Sequence, residues 1–392
     1  MKSFSLSFEK VEYTYWYGYD CLDDIIYSLK KLEADKFIVV TDNNVWQIHG
    51  YELHVRLKKV ASTLILKTPA GEEAKSMRVL ESHVETALDW GISRSSVIIS
   101  FGGGVPGNLG GLMAALLFRG IRLVHIPTTL MGVLDSVISL KQAINSSSGK
   151  NLLGTYHVPT MICADLSMLC TLPSKEIRSG MCEVIKNALI IKPETLEFLR
   201  EVLNPEAIYS KEALIELLEL SVSAKQEVMK NDKCEKKQAL VLEYGHTVGH
   251  AIELLHYYAS KETAISHGEA VGLGMLSAAH ISYQLGYLDE KEMILHHELL
   301  HMNGINRMLP RELKSEQILE KCLCDNKRGY IASSKGKLDM IILERLGKAV
   351  RNSSLPLIPV PVKKVFDAIK SLEDCSRTFD ASFSEKQHAI KL

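Results

Sequence analysis

The sequence has no excess of charge of either sign. Lys and Arg together number 46 and Asp and Glu 47 in 392 residues, which gives a formal net charge of −1. A chain this balanced has no overall field that would attract nucleic acid or an anionic membrane surface. We therefore expect a small molecule as the binding partner, with no nucleic acid and no membrane.

Long apolar runs are also lacking. No run reaches the roughly 18 residues needed to span a bilayer, and the first twenty residues alternate as a strand does, with Tyr13, Tyr15 and Tyr17, and contain no apolar signal core. The eight cysteines are scattered, and the close pair Cys322 and Cys324 lacks the second pair of a zinc knuckle. These absences predict a cytoplasmic protein with reduced thiols.

The apolar residues that are present suffice for a large core. They make up 46% of the chain, and its length fits two domains better than one. Short β-branched runs over 37–41, 96–101 and 121–126 predict strands of a parallel sheet that is buried on both faces. The sequence thus predicts an α/β nucleotide-binding domain over residues 1–172.

From about Pro173 the pattern changes to long amphipathic stretches. These predict helices over 175–200, 211–229 and 239–256, interrupted by a hairpin over 329–343 that turns at Ser334-Lys335-Gly336. We expect residues 173–392 to form a second, mainly α-helical domain.

A glycine-rich turn follows the second predicted strand. It reads Gly102-Gly103-Gly104-Val-Pro-Gly-Asn108 and precedes an apolar helix from near Leu109. Such glycines let the backbone approach a pyrophosphate at a helix N-terminus, although the spacing GGGxxG also suits a plain tight turn. 

Asp42 ends the strand predicted over 37–41, and Asn44 follows it closely. In this position Asp42 is suited to bond a ribose hydroxyl, which Asn44 could assist. A helix N-cap is the alternative for Asp42.

Glu243, His246 and His250 recur at i, i+3 and i+7 in EYGHTVGH. On one helix they would lie within about 60° of each other. The intervening Gly245 and Gly249 indicate close backbone packing or room for a ligand.

His267 and Glu183 are further metal-binding candidates, and Lys186 lies one helical turn after Glu183. Two histidines and one carboxylate leave coordination positions open, as a catalytic zinc-type metal requires. Histidines on a helix also occur as plain surface or core residues, and that interpretation stays open.

A segment of small polar residues carries two lysines. Residues 135–151 read DSVISLKQAINSSSGKN and hold Lys141 and Lys150 in a predicted loop. Cations beside small donors suit a phosphate. Arg119, Lys225 and the segment 325–328 add further basic residues, with solvated surface charge as the alternative for each.

Seven motifs occur in order over residues 42–330: GGGxxGN, PTT, DSxxxxKxxxNxxxGKN, GMCEVIK, EYGHTxGHAIE, SHGEAVxxGM and DNKRGY. Together they resemble the dehydroquinate synthase superfamily of sugar-phosphate cyclases, most closely its 2-deoxy-scyllo-inosose synthase branch. The resemblance implies the two-domain α/β plus helical fold of that superfamily, a homodimer, NAD, and one divalent metal ion, zinc or cobalt.

The resemblance also implies roles for matching residues. The implied metal ligands are Glu183, His246 and His267. The implied cofactor residues are Asp42, Asn44, Glu72, Lys75, Gly103, Gly104, Val105, Asn108, Thr128, Thr129, Asp135 and Lys150. The implied substrate and phosphate contacts are Asn151, Lys186, Lys225, Lys327 and, across the dimer interface, Arg119, with Lys150 also facing the phosphate. The implied catalytic residues are Lys141, Glu243 and His250. Asn108 departs from the aspartate usual in dehydroquinate synthases.

Two positions bear on the substrate. Where dehydroquinate synthases have an arginine and an asparagine that bind a substrate carboxylate, this sequence has Ala239 and Glu243. Loss of the guanidinium removes the bidentate partner, and the new carboxylate would repel an acid by roughly 1 to 4 kcal/mol at about 4 Å. The sequence therefore favours glucose 6-phosphate as the substrate. It would be oxidised at C4, lose its phosphate by elimination, be reduced again and close a carbocycle by aldol addition, as a step toward 2-deoxystreptamine aminoglycosides.

Several alternatives remain. The nearest are another sugar-phosphate cyclase, either a 2-epi-5-epi-valiolone synthase or a 3-dehydroquinate synthase. A metal- and NAD-dependent polyol dehydrogenase on a related fold, and an inactive binding subunit that kept the fold, are more distant.

Overall fold

The computed structural model describes residues 1–146, 149–261, 264–324, 327, 329–332 and 335–373. The chain forms two compact units. The first comprises Met1–Gly180 and Leu217–Cys234, and the second comprises Met181–Glu216 and the described residues from Glu235. The sequence-based boundary between residues 172 and 173 stays a prediction.

The described helices alternate with strands in the first unit and dominate the second. The helices are α1 (Leu22–Lys30), α2 (Asn43–Val45), α3 (Tyr51–Leu57), α4 (Met77–Asp89), α5 (Gly104–Leu116), α6 (Ser174–Ile190), α7 (Leu196–Val202), α8 (Lys211–Met229), α9 (His246–Ala259), α10 (His267–Gln284), α11 (Glu290–Met302), α12 (Ser315–Cys322) and α13 (Val362–Lys370). The strands are β1 (Lys2–Phe8), β2 (Val11–Gly18), β3 (Lys36–Asp42), β4 (Ser62–Thr68), β5 (Val97–Gly102), β6 (Arg122–Pro127), β7 (Lys141–Ser146), β8 (Gly149–Tyr156), β9 (Met161–Asp165), β10 (Lys337–Met340), β11 (Leu343–Arg345), β12 (Lys348–Ala349) and β13 (Ile358–Pro361).

The first unit is built on a seven-stranded sheet in the order β1-β2-β9-β6-β5-β3-β4. All neighbours are parallel except β1 and β2. Successive residues of β3 face opposite cores: Phe37 and Val39 pack on one side, Ile38 and Val40 on the other. Because both faces of the central strands are covered, their runs over 37–40, 97–99 and 123–124 are continuously apolar and buried, and the predicted parallel sheet is confirmed.

Three local expectations for the first unit were incomplete or wrong. The first twenty residues form two paired strands rather than one. Helix α5 begins at Gly104, well before Leu109, because Gly103 is the extended N-cap residue. The predicted loop over 135–151 contains the paired strands β7 and β8, so Lys141 and Lys150 lie on a hairpin.

The second unit is mainly helical, as expected, but two elements differ from the prediction. The helix predicted over 175–200 is divided into α6 and α7, because Pro193 follows the end of α6 and cannot continue a helical hydrogen-bond ladder. The hairpin predicted over 329–343 is wrong: β10 pairs with β13 and β11 with β12. Ser334, its predicted turn residue, lies outside the described residues.

Within the described part of the chain, no helix combines the length and the hydrophobicity required to cross a membrane.

Candidate functional site

The carboxyl ends of three neighbouring strands meet in the first unit. Strands β3, β5 and β6 end at Asp42, Gly102 and Pro127. Thr128 donates its backbone N–H to the Gly102 carbonyl at 3.1 Å, and a Cβ added to Gly102 would lie 3.5 Å from Asp42 Oδ2. The predicted Asp42, glycine turn and PTT motif are therefore brought to one edge of the sheet, where α/β folds bind ligands.

Glycine suits positions 102, 103 and 104 for different physical reasons. Gly102 has φ +147°, and a Cβ there would meet Pro106 at 2.8 Å; a Cβ at Gly103 would meet Thr129 Cγ2 at 2.8 Å. Among the described residues, a Cβ at Gly104 would meet nothing within 4 Å, and no side chain caps the N-terminus of α5. This open helix end, with Val105 in its first turn, offers backbone N–H groups to an anion and fits a dinucleotide pyrophosphate.

Asp42 and Asn108 are both engaged within the protein. Asp42 Oδ1 accepts from Val45 N at 2.9 Å, so Asp42 is the helix N-cap that was the alternative, while its Oδ2 remains on the Gly102 side. Asn108 donates to the Gly104 carbonyl at 2.9 Å and accepts from Ala143 N at 2.8 Å. Asn108 thus joins α5 to β7, and its predicted cofactor contact stays a prediction. Asn44 is exposed on α2.

A polar cluster, formed by Glu72, Lys75, Asn145, Lys150 and Asn151, ties the turn before α4 to the β7–β8 hairpin. Lys75 Nζ lies 2.5 Å from Asn151 Oδ1 and 3.3 Å from Glu72 Oε1. Asn145 donates to Glu72 Oε1 at 2.9 Å, and Lys150 Nζ lies 3.9 Å from the same oxygen. The structure therefore brings four predicted residues together and adds Asn145, which was quoted in a motif but given no role.

Other predicted residues of the first unit lie apart from this cluster. Lys225 is buried and donates to the Asp135 carbonyl at 2.8 Å, with its Nζ 2.9 Å from Asp135 Oδ1. Lys141 is half-buried at the start of β7. Arg119 is exposed beyond the far end of α5, roughly 20 Å along that helix from Gly104, and is not brought to the glycine turn within this chain.

In the second unit the helix predicted over 239–256 is interrupted at Gly245, and this corrects the prediction of one continuous helix. Glu243 ends a 3-10 turn over Gln238–Glu243, Gly245 has φ +80°, and α9 begins at His246. A Cβ at Gly245 would lie 2.8 Å from the Val271 carbonyl oxygen, and one at Gly249 2.9 Å from Val271 Cα. The close backbone packing inferred from these glycines is confirmed, while Glu243 precedes the helix that carries the histidines.

One carboxylate oxygen faces two imidazoles in the second unit. Glu183 Oε1 lies 3.7 Å from Nε2 of His246 and 3.7 Å from Nε2 of His267. It is buried and accepts no hydrogen bond from the described residues, whereas Oε2 accepts from Lys186. Ligand atoms of His246, His250 and His267 also lie within 4.8 Å of one another. There are thus two candidate sets of three metal ligands. Both contain His246 and His267, and the third member is Glu183 in one set and His250 in the other.

The Nδ1 atoms of His246 and His267, the two histidines common to both sets, lie beside hydrogen-bond acceptors. His246 Nδ1 lies 3.1 Å from the Tyr244 carbonyl oxygen, and His267 Nδ1 lies 3.1 Å from Glu253 Oε2. Because a carbonyl and a carboxylate only accept, each Nδ1 donates, and each Nε2 of a neutral ring presents a lone pair toward Glu183. Glu253 was missed from the sequence, although it stands in the quoted EYGHTxGHAIE motif.

Burial keeps the His246 and His250 rings neutral. It lowers the pKa of His246 to about 3, with the Lys186 ammonium as the next cause, and lowers the pKa of His250 to about 3, helped by the His246 ring. The Glu243 carboxylate opposes both shifts and Lys327 adds to them, so these two groups act on the same cluster. Lys327 is buried, with its Nζ 3.6 Å from Glu243 Oε2.

The donor set fits a divalent metal ion. The Nε2 atoms of two imidazoles each lie 3.7 Å from Glu183 Oε1, and a bound cation would satisfy this buried oxygen, which accepts no hydrogen bond from the described residues. Glu183, His246 and His267 would hold the ion, with His250 as an adjacent donor. Nitrogen and oxygen ligands of this kind suit zinc or cobalt.

The chain matches two family profiles along most of its length. Residues 65–179 match 3-dehydroquinate synthase N-terminal, and residues 180–328 match 3-dehydroquinate synthase C-terminal. Among characterised relatives, the 2-deoxy-scyllo-inosose synthase of Streptoalloteichus tenebrarius is 43% identical over 383 residues, which is 97% of this chain and 98% of that protein. The enzyme of that name from Niallia circulans is 35% identical over 358 residues, 91% of this chain and 96% of that protein.

Solved structures agree with this likeness. A 2-deoxy-scyllo-inosose synthase complexed with carbaglucose-6-phosphate, NAD⁺ and Co²⁺ has a TM-score of 0.86 and 32% identity, over 94% of this chain and 99% of that one. A 2-epi-5-epi-valiolone synthase from Streptomyces hygroscopicus with NAD⁺ and Zn²⁺ bound has a TM-score of 0.79 at 22% identity, over 93% and 98%, and shows the shared fold. On its sequence, its two-unit fold and these matches, the chain belongs to the 3-dehydroquinate synthase family.

Proposed function

We propose that this chain is a phosphate-eliminating sugar-phosphate cyclase that converts glucose 6-phosphate into 2-deoxy-scyllo-inosose and phosphate, for the synthesis of 2-deoxystreptamine aminoglycosides. Support comes from full-length relatives of that activity at 43% and 35% identity. Support also comes from the solved relative that holds carbaglucose-6-phosphate, NAD⁺ and Co²⁺.

The observation that carries the choice of substrate is the carboxylate of Glu243 beside the histidine cluster. Its charge offsets part of the lowering that burial causes in the pKa of both His246 and His250, and Ala239, one turn earlier, is fully buried and offers no cation. A substrate acid end would meet a like charge there, whereas sugar hydroxyls can donate to Glu243. This arrangement favours a neutral polyol over a keto-acid phosphate.

The residues of the second unit have distinct roles in the proposal. When bound, the divalent ion supplies a Lewis acid for the substrate hydroxyls, and NAD supplies a hydride acceptor that becomes the hydride donor. Glu183, His246 and His267 hold the ion through one carboxylate oxygen and two Nε2 lone pairs. His250 and Glu243 are the groups proposed to accept and return protons.

The basic residues orient the phosphate. Lys186 is held by Glu183 and is buried, so it presents a fixed ammonium. Lys141, Lys150, Asn151, Lys225 and Lys327 complete the proposed substrate contacts. Binding the leaving group at fixed cations converts binding energy into orientation of the bond that breaks.

In the first unit, the open N-terminal turn of α5 and the strand-end residues are proposed to bind NAD. The residues are Asp42, Asn44, Glu72, Lys75, Gly103, Gly104, Val105, Asn108, Thr128, Thr129, Asp135 and Lys150. The supporting observation is the open space beside Gly104 at an uncapped helix end, since such an end binds phosphate groups through its N–H groups.

A homodimer and a cytoplasmic location belong to the same proposal. Arg119 is exposed and lies beyond the far end of α5 from Gly104, which agrees with a contact to a partner's site rather than to its own. The described cysteines are all free thiols, in agreement with a reducing compartment.

The proposal is tested by substrate competition. Purified protein with NAD and Co²⁺ is incubated separately with glucose 6-phosphate, sedoheptulose 7-phosphate and the heptulosonate phosphate used by dehydroquinate synthases, and the products are identified by mass. We expect phosphate release and a carbocycle from glucose 6-phosphate. A preference for either seven-carbon substrate would instead assign the chain to one of the rival cyclase activities.

A further inference from the structure

Tyr244 and His296 form a buried hydrogen bond behind the histidine cluster. The Tyr244 hydroxyl lies 2.9 Å from His296 Nε2, and neither residue is exposed at all. His296 Nδ1 lies 2.8 Å from the carbonyl oxygen of Glu292 on the same helix, α11. Since that carbonyl only accepts, Nδ1 carries the ring proton, and Nε2 accepts from the Tyr244 hydroxyl.

The helix that carries His296 is itself held at its start. Asp289 and Glu292 form a reciprocal capping box, in which Asp289 Oδ1 accepts from Glu292 N at 2.8 Å and Asp289 N donates to Glu292 Oε2 at 3.1 Å. Glu292 Oε1 also accepts from Leu346 N at 3.3 Å. His296 thus projects from a fixed element of the second unit.

The other end of Tyr244 reaches the metal-binding histidines. Its backbone carbonyl accepts from His246 Nδ1 at 3.1 Å. Tyr244 (φ −58°, ψ 127°) directly follows the 3-10 turn as its C-cap residue, and the left-handed Gly245 comes next, before α9 begins. The peptide that orients His246 is therefore at a chain reversal, held by the hydrogen bond from Tyr244 N to the Val241 carbonyl at 3.0 Å and by the buried phenol ring of the same residue.

We propose that Tyr244 and His296 are a positioning pair, whose hydrogen bond fixes the carbonyl that orients His246 and so sets the affinity of the site for its metal. Neither side chain is a donor in either candidate ligand set. The inference rests on the metal site of the proposed function. Groups that orient a ligating imidazole typically change metal affinity by about 10- to 100-fold when removed.

The test measures metal binding rather than turnover. The affinity of full-length protein for Co²⁺ is determined by competition with a chelator, together with the Co²⁺ absorption spectrum and the denaturant unfolding of the metal-free protein. We expect Tyr244→Phe to weaken Co²⁺ binding about tenfold and to alter the spectrum, since the ring is kept and only the hydroxyl is lost. Tyr15→Phe is the matched control, because Tyr15 is equally buried and donates to the Val133 carbonyl at 2.8 Å in the first unit.

A second variant tests whether the two residues act together. His296→Leu should weaken Co²⁺ binding as much as Tyr244→Phe, and the double variant no more than either one, since both remove the same interaction. Unchanged Co²⁺ affinity in both single variants, with lower stability of the metal-free protein, would make the pair merely structural and overturn the inference. A wild-type protein that binds no Co²⁺ would instead overturn the proposed function on which the inference rests.

Discussion

At residue scale, the proposed metal site depends on two imidazoles that each point one nitrogen at a buried carboxylate. His246 and His267 each use Nδ1 toward an acceptor, and each Nε2 faces Glu183 Oε1 at 3.7 Å. This oxygen is buried and accepts no hydrogen bond from the described residues, which is costly without a cation. The ligand set is therefore open to direct tests, one residue at a time.

Glu183→Gln is expected to weaken Co²⁺ binding by more than about 100-fold, because it removes an inner ligand rather than an orienting group. His250→Asn should retain Co²⁺ with affinity within about tenfold of wild type, since His250 is outside the proposed set. Chelator competition measures both, with Glu194→Gln, an exposed carboxylate beside Lys192, as the control. The reverse order of effects would assign the third ligand to His250.

Glu243→Gln is expected to lower phosphate release from glucose 6-phosphate by about 100- to 10,000-fold while Co²⁺ affinity stays within a few-fold, because the amide cannot take up a proton. Phosphate assay and chelator competition together separate the two effects. Glu344→Gln, which alters an exposed carboxylate paired with Lys348 at 2.7 Å, is the control. Unchanged turnover would remove Glu243 from the chemistry.

The sequence could predict residues whose chemistry shows in a motif, and missed those that act through geometry. Glu183, His246 and His267 were proposed from ordered motifs, and the structure brings them together. Glu253 and Tyr244 stood in the same motif without a role, because their contributions depend on where one carboxylate oxygen and one carbonyl lie after folding. Residue spacing contains no signal for either.

At the scale of the element, the reversal at Gly245 determines where the site residues lie. It separates Glu243 from α9 and lets α9 and α10 approach so closely that Gly245, Gly249 and Gly274 face backbone atoms across the contact. Gly245 combines a positive φ with close contacts to backbone atoms, whereas at Gly102 and Gly347, which also have positive φ, the close atoms belong to the side chains of Pro106 and Pro193.

Gly245→Ala is expected to destabilise the protein by more than left-handed backbone strain alone would, which costs about 1 to 2 kcal/mol. The added Cβ would also lie 2.9 Å from Met275 N. Gly286→Ala isolates the strain, with φ +76° and nothing within 4 Å. Denaturant unfolding of the metal-free variants compares the two. Equal losses would show that the contact with α10 contributes nothing.

Element prediction succeeded where periodicity and packing agree. The strands of the parallel sheet and α8 were found because their apolar pattern follows from burial. The helix interruptions at Gly245 and Pro193 were missed because the apolar period continues across them. Strand β10 was given the wrong partner because its true partner, β13, is distant in sequence, and local turn signals do not report such a pairing.

At the scale of the whole molecule, buried neutral histidines link stability to pH. Burial lowers the pKa of His125 to about 4 and of His297 to about 2, one in each unit. Below about pH 6.5 the unfolded chain binds protons that the folded chain does not. The unfolding free energy therefore falls with decreasing pH from 6.5 toward 4.

His125 offers a specific test of this linkage. Among the described residues neither of its ring nitrogens has a hydrogen-bond partner. We expect His125→Leu to stabilise the metal-free protein by about 1 kcal/mol at pH 7 and to reduce the loss of stability by up to about 1.4 kcal/mol per pH unit between pH 6 and 5. Denaturant unfolding at several pH values measures this, with the exposed His301→Gln as control; equal slopes for wild type and His125→Leu would contradict the assignment.

At the scale of the whole molecule, oxidation and reduction cancel within one cycle of the proposed reaction while phosphate is expelled. The most direct measurement follows NADH absorbance and released phosphate together during turnover of glucose 6-phosphate with substoichiometric NAD and Co²⁺. We predict many equivalents of phosphate per NAD and no net accumulation of NADH. Accumulation of NADH without phosphate would identify a polyol dehydrogenase and contradict the account.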